Sequence, residues 1–205
     1  MTPIFWQQAI RELNGTDPVM RRIIEQYDDT VLRSRGDAFA TLARSVVGQQ
    51  ISVKAAESVW QKVIDSLPDV DPLTVYNTDE TQLRQCGLSL RKISYLKDLA
   101  WHFSEGKLDV SQWHVMDDEA LIRQLIQVKG IGRWTAEMFL IFHMLRPDIL
   151  PLDDIGLQRA ISKHYFDCQA VNKKAIEQLA QQWKPWRSVA TWYLWRSLDP
   201  LPVEY

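Results

Sequence analysis

Apolar residues recur along most of this chain at the three- and four-residue spacing of amphipathic helices. The segment from 38 to 50 shows the pattern, and further amphipathic stretches follow at about 79–86, 90–105, 117–127, 132–145, 154–165, 172–183 and 185–197. β-prone runs such as Ser45–Val47 lack the alternation and the hairpin turns of strands. The pattern therefore predicts an all-α protein.

Capping residues indicate where several of these helices begin. Asp37 precedes the segment 38–50, and Ser52 precedes a helical stretch from 53 to 67 with Pro68 beyond its end. Thr16-Asp17-Pro18 begins another helix, because Asp caps a helix well and Pro is tolerated in its first turn.

A glycine-rich turn, Val128-Lys129-Gly130-Ile131-Gly132, separates two of the predicted helices. Glycines two residues apart are typical of a sharp reversal that can require a positive φ. The residues from Gly132 to Thr135 begin the next helix, so their N–H groups lack intrahelical partners and can bind an anion. Lys129 and Arg133 flank the turn, which favours a phosphate-binding role. The hairpin alone is equally consistent with a plain helix–helix turn that ends in a glycine cap.

Two successive aspartates, Asp153 and Asp154, follow a proline-bounded loop and precede the next predicted helix. One of them could be an ordinary N-cap, but two exceed what a cap requires. The helix dipole favours negative charge at this end. A carboxylate held there can stabilise a developing cation or orient a water molecule, which indicates a catalytic site.

Composition narrows the class of protein. The chain has 205 residues and a net charge of −2, so any contact with nucleic acid must be local. Its two cysteines, Cys86 and Cys168, lie outside any CxxC pattern, which favours a reducing compartment. The four histidines lack metal-ligand spacing. We expect no membrane-spanning segment and no signal peptide, since no apolar run is long enough.

The stretches GIGRWTA and LPLDDIG resemble the helix-hairpin-helix DNA glycosylase superfamily. The chain is most similar to the DNA-3-methyladenine glycosylase II family in its compact form, without an N-terminal β-domain. The likeness covers nearly the whole chain, with similar stretches at TDPVMRRII, FATLARSVVGQQIS, CGLSLRKISYLKDLA and WKPWRSVATWYLWRSLD.

The resemblance implies one helix-hairpin-helix glycosylase unit over residues 1–205, made of two helical subdomains with the active-site cleft between them. The central subdomain would span about 36–120. The second would join about 1–35 to 121–205, and would carry the hairpin at 121–145 and the catalytic aspartate loop at 147–156.

The resemblance also implies the reaction. Members hydrolyse the N-glycosidic bond of alkylated bases, 3-methyladenine and by extension 7-methylguanine, in duplex DNA by base flipping, and leave an abasic site for base excision repair. Asp154 matches their catalytic aspartate, and Asp153 would be a neighbouring cap or pocket residue. Strand-cutting relatives have a lysine where Trp134 stands, so no AP-lyase activity is expected. Two cysteines cannot supply the four that the iron–sulfur branch needs.

Further site residues follow from the same likeness. Trp134 and Trp195 match positions that line the base pocket, where an indole face gains about 0.5–2 kcal/mol from a cationic alkylated purine. Met138, one turn after Trp134, would form a softer wall of the same pocket, at a position where some relatives have an aromatic residue. Gln50, followed by Ile51, matches the wedge that fills the space left by the flipped base.

The partner implied is double-stranded DNA containing alkylated bases, contacted by hairpin residues Lys129, Gly130, Ile131, Gly132, Arg133 and Thr135. A sodium or potassium ion on the carbonyls of Ile126, Val128 and Gly130 is part of the family pattern. We expect no other cofactor, a monomer, and a cytoplasmic or nucleoid location (nuclear in a eukaryote). Two alternatives stay open: a non-catalytic helix-hairpin-helix DNA-binding protein, and a glycosylase for oxidised, deaminated or mismatched bases.

Overall fold

The computed structural model describes residues 3–27, 31–34 and 36–198, and these ranges contain thirteen α-helices, one 3-10 helix at Ala180–Trp183 and no strand. The all-α prediction is confirmed. The α-helices are α1 (Trp6–Thr16), α2 (Pro18–Gln26), α3 (Ala38–Gly48), α4 (Val53–Ser66), α5 (Pro72–Asn77), α6 (Glu80–Gln85), α7 (Leu90–Ser104), α8 (Val110–Trp113), α9 (Asp118–Leu125), α10 (Arg133–Phe142), α11 (Ile155–Tyr165), α12 (Lys173–Leu179) and α13 (Arg187–Arg196).

The predicted caps hold. Asp17 accepts hydrogen bonds from the backbone N–H groups of Val19 and Met20 at 2.9 and 3.1 Å, and Asp37 and Ser52 cap α3 and α4 in the same manner. The sequence pattern missed α5 and α8, because six and four residues are too few to show a helical period. The stretch predicted at 172–183 ends in a 3-10 turn after Leu179.

The chain divides into two compact units. We call 1–34 with 140–205 the terminal unit, and 35–139 the central unit. Residues 121–139 of the predicted hairpin segment lie in the central unit and 140–145 in the terminal unit, whereas all of 121–145 was expected in the second subdomain. The physical reason is that α7 packs against the hairpin through Tyr95 and Asp98. The predicted boundary at residue 35 lies outside the described residues.

The core of the central unit forms around α7, which packs against α3 and α5. Leu96 and Leu99 of α7 are buried, as is Leu42 of α3. Burying each of these side chains contributes about 1.5–3 kcal/mol. The fully buried Trp113 makes an edge-to-face contact with Phe139 at 5.4 Å between ring centroids. This contact fixes the first part of α10 to the same core.

In the terminal unit, α13 packs against α1, α2 and α11. The buried Asp17 joins these elements, since it caps α2 and also accepts hydrogen bonds from the Tyr165 hydroxyl at 2.7 Å and the Trp183 indole N–H at 2.8 Å. Burial, together with the Asp17 carboxylate, raises the pKa of Tyr165. The neutral phenol therefore persists as a donor, and the framework that carries α11 and α13 is held together.

Candidate active site and nucleic-acid interface

Asp154 is the N-cap of α11 and is buried, with 7% of its surface exposed. One carboxylate oxygen, Oδ1, accepts hydrogen bonds from the Leu157 backbone N–H at 2.6 Å and from the Trp195 indole Nε1–H at 2.7 Å. The first bond comes from the helix N-terminus, where the dipole favours negative charge. The second bond reaches across from α13. Two donors therefore fix the orientation of a buried carboxylate.

Gly156 provides the space that this arrangement needs. A Cβ atom built at Gly156 would lie 3.1 Å from Asp154 Oδ1, 3.2 Å from Trp195 Cδ1 and 3.3 Å from Trp195 Nε1. These separations are shorter than ordinary van der Waals contacts. The backbone of Gly156 is not in the left-handed region, so the requirement for glycine here is steric.

The loop before Asp154 is held by the N-terminus of α13. The Arg187 guanidinium donates to both carboxylate oxygens of Asp148 at 2.6 and 2.9 Å. The Ser188 hydroxyl accepts a hydrogen bond from the Ile149 N–H at 2.9 Å, and the Ser188 N–H donates to the Pro147 carbonyl at 2.9 Å. The helix α13 thus holds the loop near its start, through Arg187 and Ser188, and holds the Asp154 carboxylate at the end of the loop, through Trp195. Sequence reasoning missed these partners because they lie 39 or more residues apart.

Aromatic rings support the Trp195 indole within the terminal unit. Phe142 stacks on Trp195 with ring centroids 5.7 Å apart and planes 11° from parallel, and it meets Trp192 edge to face at 6.2 Å. This stacking fixes the ring whose N–H binds Asp154. Sequence reasoning did not identify Phe142, although it ends the helix that carries Trp134 and Met138.

Asp153 does not fit the cap or pocket role expected of it. Its side chain is exposed and forms an ion pair with Lys173 of α12. The capping role belongs to Asp154, whose side chain turns inward where that of Asp153 turns outward. Of the two aspartates, only Asp154 has a buried carboxylate.

The hairpin needs its first glycine for two reasons. Gly130 has φ +84°, and the Ile131 N–H donates to the Val128 carbonyl at 3.1 Å, as in a type II turn with glycine at its third position. A Cβ at Gly130 would also lie 2.2 Å from the Tyr95 ring. The expectation of a positive φ therefore holds for Gly130, whereas Gly132 is not in the left-handed region.

Gly132 instead leaves the entrance to α10 open. Its carbonyl accepts the Ala136 N–H at 3.0 Å, which makes Gly132 the N-cap of α10. No atom lies within 4 Å of a Cβ built there, and the residue is exposed. The N–H groups of Arg133, Trp134 and Thr135 form the first turn, where no intrahelical acceptor exists. Such an open helix N-terminus suits an anion such as a phosphate.

The charged hairpin side chains are already paired. Arg133 donates to both carboxylate oxygens of Glu119, at 3.0 Å for the Nη1 bond, and to Glu137 at 2.9 Å. These contacts, chiefly the hydrogen bonds to Glu119, raise the pKa of Arg133. The sequence pattern favoured a phosphate-binding role for Arg133, and its pairing with Glu119 could not be read from that pattern because Glu119 is one helix away in the chain.

Lys129 and Ile131 also make contacts that limit their predicted roles. The Lys129 N–H donates to Asp98 at 2.8 Å, and its ammonium lies 3.4 Å from the same carboxylate. The Ile131 side chain is buried, and its N–H is used inside the turn. The backbone N–H groups of Arg133 to Thr135 are therefore the groups of the hairpin best placed for an anion, although the Thr135 side chain itself is buried.

The carbonyls predicted to bind a cation also take part in local hydrogen bonds. The Val128 carbonyl accepts the Ile131 N–H, and the Gly130 carbonyl accepts a side-chain amide of Gln49 at 2.8 Å. Two of the three proposed oxygen ligands thus already have protein donors. A cation on these carbonyls stays a prediction.

The predicted wedge lies on an exposed turn between α3 and α4. Gln50 is in the left-handed region at φ +60°, which is uncommon for a residue with a side chain, and Ile51 is 40% exposed. Lys92 of α7 donates to the Val47 carbonyl at 2.6 Å, just before this turn. Burial lowers the pKa of Lys92. The Lys92 hydrogen bond therefore stabilises the residues before the turn, while the side chains of Gln50 and Ile51 are exposed to solvent.

Trp134 and Met138 lie four residues apart on α10 and so share one helix face. Trp134 is half-buried, and Met138 is buried. Both belong to the central unit, whereas Asp154 and Trp195 belong to the terminal unit.

Within the described ranges, no helix combines the length and apolar character that crossing a bilayer requires. In the same ranges, His, Cys, Asp and Glu side chains form no group of three or more that could hold a metal ion.

A helical fold with an open glycine hairpin and a buried, helix-capping aspartate defines a helix-hairpin-helix protein with an acidic site. The chain belongs to the HhH-GPD superfamily of base excision DNA repair proteins, whose family model matches residues 43–185.

Known proteins resemble it over most of its length. It is 32% identical to a DNA-3-methyladenine glycosidase from Bacillus halodurans, with a TM-score of 0.86 over 93% of this chain and 89% of that one. The Schizosaccharomyces pombe 3-methyladenine DNA glycosylase Mag1, solved with abasic DNA, is 28% identical, with a TM-score of 0.82 over 97% of this chain and 99% of that one. A Bacillus subtilis relative, YfjP, is 30% identical over an alignment that covers 86% of this chain and 64% of YfjP.

Replacing Gly156 with alanine tests the contact between α11 and α13. The added methyl group should separate Asp154 from Trp195, because it meets both at 3.1–3.3 Å. We expect the Trp195 indole N–H proton resonance, assigned by its loss in Trp195→Phe, to move upfield as the hydrogen bond weakens.

Gly15→Ala is the matched control. Gly15 also lies in a helix, and no atom lies within 4 Å of the position that its added methyl group would take. This change should therefore raise the free energy of unfolding by up to about 1 kcal/mol and leave the resonance in place. An unchanged indole resonance in Gly156→Ala would show that Gly156 has no such spacing role.

Proposed function

We propose that this protein is a monofunctional DNA glycosylase that hydrolyses the N-glycosidic bond of alkylated bases in duplex DNA and leaves an abasic site. The observation that carries the proposal is the buried Asp154 carboxylate, fixed by the Leu157 N–H and the Trp195 indole N–H. Family membership and the named activities of the B. halodurans and S. pombe relatives support the same reaction.

The proposed role of Asp154 is electrostatic. As the bond between base and sugar breaks, the sugar acquires oxocarbenium-like positive charge, as in other glycoside hydrolyses. A buried carboxylate stabilises that charge more strongly than one in water, since the surrounding dielectric is low. The same carboxylate can orient the water that attacks the anomeric carbon and accept its proton. Its two fixed donors reduce the reorganisation needed during the reaction.

Double-stranded DNA is the proposed partner, bound through the open N-terminus of α10. Backbone amides of Arg133, Trp134 and Thr135 are suited to a phosphate of the lesion strand, and Gly132 allows the phosphate to approach. Gln50 and Ile51 are proposed to fill the space that the flipped nucleotide leaves. The net charge of −2 is consistent with a local grip of this kind.

Selectivity for alkylated bases is proposed to come from charge and chemistry. N3- and N7-alkylated purines are cationic, and an indole face such as that of Trp134 attracts a cation by about 0.5–2 kcal/mol. The alkylated base is also the better leaving group. We infer 3-methyladenine as a substrate and 7-methylguanine as a second. Trp134 occupies the position of the lysine in strand-cutting relatives, so base release without strand cleavage is expected.

A monomer is the proposed state, because one lesion requires one site. The proposed location is wherever the cell keeps its DNA: the bacterial cytoplasm and nucleoid, or the nucleus of a eukaryote.

Asp154→Asn tests the catalytic assignment. Asparagine keeps the size of the side chain and an oxygen acceptor for both N–H donors but removes the charge. We therefore expect a folded protein whose single-turnover release of 3-methyladenine from methylated duplex DNA falls about 100-fold or more. In the wild-type reaction, strand breaks should appear only after hot alkali.

The adjacent aspartate supplies the control. Asp153 is exposed and paired with Lys173, so Asp153→Asn should release base at nearly the wild-type rate. Equal losses in the two variants, or unchanged release in Asp154→Asn, would remove Asp154 from the mechanism. Lesion binding without base release by the wild type would identify a non-catalytic DNA-binding protein.

Gly132→Asp and Gly132→Asn together test the hairpin as a phosphate site. Both side chains are good N-caps and nearly equal in size, so both proteins should fold. Only Asp places a negative charge at the entrance to α10. We expect Gly132→Asp to bind duplex DNA about tenfold more weakly than Gly132→Asn in ~0.1 M salt, with a smaller difference at high salt. Equal dissociation constants, measured by fluorescence anisotropy, would mean that phosphate does not bind at this helix end.

A further inference from the structure

Gln49 connects the two turns of the central unit that are proposed to contact DNA. Its side-chain Nε2 donates to the Gly130 carbonyl at 2.8 Å, a contact between residues 81 positions apart. Gln49 is the C-cap of α3, and the next residue is the proposed wedge Gln50. A single side chain thus links the base of the wedge turn to the apex of the hairpin.

The other partners of these turns are fixed by one helix. Lys92, Tyr95 and Asp98 of α7 contact the Val47 carbonyl, the site of Gly130 and the Lys129 N–H respectively. The hairpin is therefore held by α7 at Lys129 and Gly130. The Gly130 carbonyl takes its hydrogen bond from outside α7, from Gln49 at the end of α3.

The wedge turn is held by hydrogen bonds at its ends. Gln50 is held at φ +60°, a conformation that costs free energy for a residue with a Cβ and that its surroundings must maintain. Gln50, Ile51 and Ser52 are all exposed, so side-chain burial does not hold the turn. At its far end Ser52 caps α4, and at its base the anchors to other elements are the Lys92 bond to Val47 and the Gln49 bond to Gly130.

From these contacts we infer that Gln49 is a positioning residue, which sets the wedge against the hairpin so that phosphate binding and insertion into the duplex occur as one event. The inference rests on the proposed DNA-glycosylase function. Gln49 itself is not proposed to touch the base or the sugar. Its effect passes through the position of Gln50 and Ile51.

Gln49→Met and Gln49→Asn test this role in the full-length protein. Methionine keeps the approximate length of the side chain and removes the donor. Asparagine keeps the amide but is one methylene too short to reach the Gly130 carbonyl. Both changes are neutral, so they do not alter the attraction to phosphate. The probe is a duplex with a tetrahydrofuran abasic analogue and 2-aminopurine in the opposite strand, whose fluorescence rises when the base is unstacked.

We expect both variants to bind an undamaged duplex within about twofold of the wild type, because the amides of α10 are unchanged. The 2-aminopurine signal should fall toward that of a Gln50→Ala, Ile51→Ala double variant. The single-turnover rate of base release should drop about tenfold, the scale of one lost neutral hydrogen bond. Gln61→Met, at an exposed glutamine of α4 that bonds only to its own helix, should behave as the wild type in all three measurements.

Three results would overturn the inference. The first is a 2-aminopurine signal at the wild-type level in either variant. The second is an equal loss of affinity for undamaged and lesion duplexes, and the third is failure of both variants to fold cooperatively. Either of the last two would assign Gln49 a general structural role. If the wild type unstacks 2-aminopurine but releases no alkylated base, the proposed activity fails while the role of Gln49 is still decided by the fluorescence measurement.

Discussion

The hydrogen bond from the Trp195 indole to Asp154 Oδ1 is the contact on which the proposed chemistry depends. A carboxylate buried to this degree loses most of its hydrogen bonds to water, so donors of the protein must replace them. The Leu157 N–H is one donor, from the helix that Asp154 caps, and the Trp195 indole N–H is a second, from a different helix. Gly156 leaves space for the two to meet, and Phe142 stacks on the indole. The terminal unit is thus organised to hold one negative charge in one orientation.

The role proposed for the central unit poses a different physical problem, which is to present backbone groups and a wedge to a duplex. The groups proposed to bind phosphate are the backbone amides at the start of α10, which carry no net charge. The nearby cationic side chains, Arg133 and Lys129, are paired with carboxylates of the protein. Recognition through the backbone amides is consistent with a protein whose net charge is slightly negative. Recognition of this kind depends on the conformation of the hairpin rather than on its side-chain charge. The contacts from α7 stabilise that conformation.

The local sequence pattern predicted the fold class, several helix caps and the glycine hairpin. Helical periodicity gave the all-α fold, and the caps at Asp17, Asp37 and Ser52 were located correctly, because these features depend on residues within four positions of one another. The hairpin was found because glycine has a specific backbone use, although only Gly130 needs it in the predicted way.

Contacts between distant parts of the chain were not predictable in the same way. The ion pair of Arg133 with Glu119, the hold of Arg187 and Ser188 on the loop before Asp154, and the bond from Gln49 to Gly130 all join different helices. Their partners leave no periodic signal, so a sequence pattern cannot identify them. Asp153 illustrates the difference. It is indistinguishable from Asp154 by residue type and is adjacent in sequence, yet tertiary packing buries one carboxylate and exposes the other to pair with Lys173.

The most direct test of the central claim is a double-mutant cycle on single-turnover base release, with Trp195→Phe introduced into the wild type and into Asp154→Asn. Phenylalanine keeps an aromatic ring to stack on Phe142 but removes the indole N–H. If Trp195 acts by orienting the Asp154 carboxylate, its replacement should slow the wild type about tenfold or more and change Asp154→Asn by less than about twofold, because coupled residues are non-additive. Equal fold-losses in the two backgrounds would contradict the account and would assign Trp195 a role independent of Asp154.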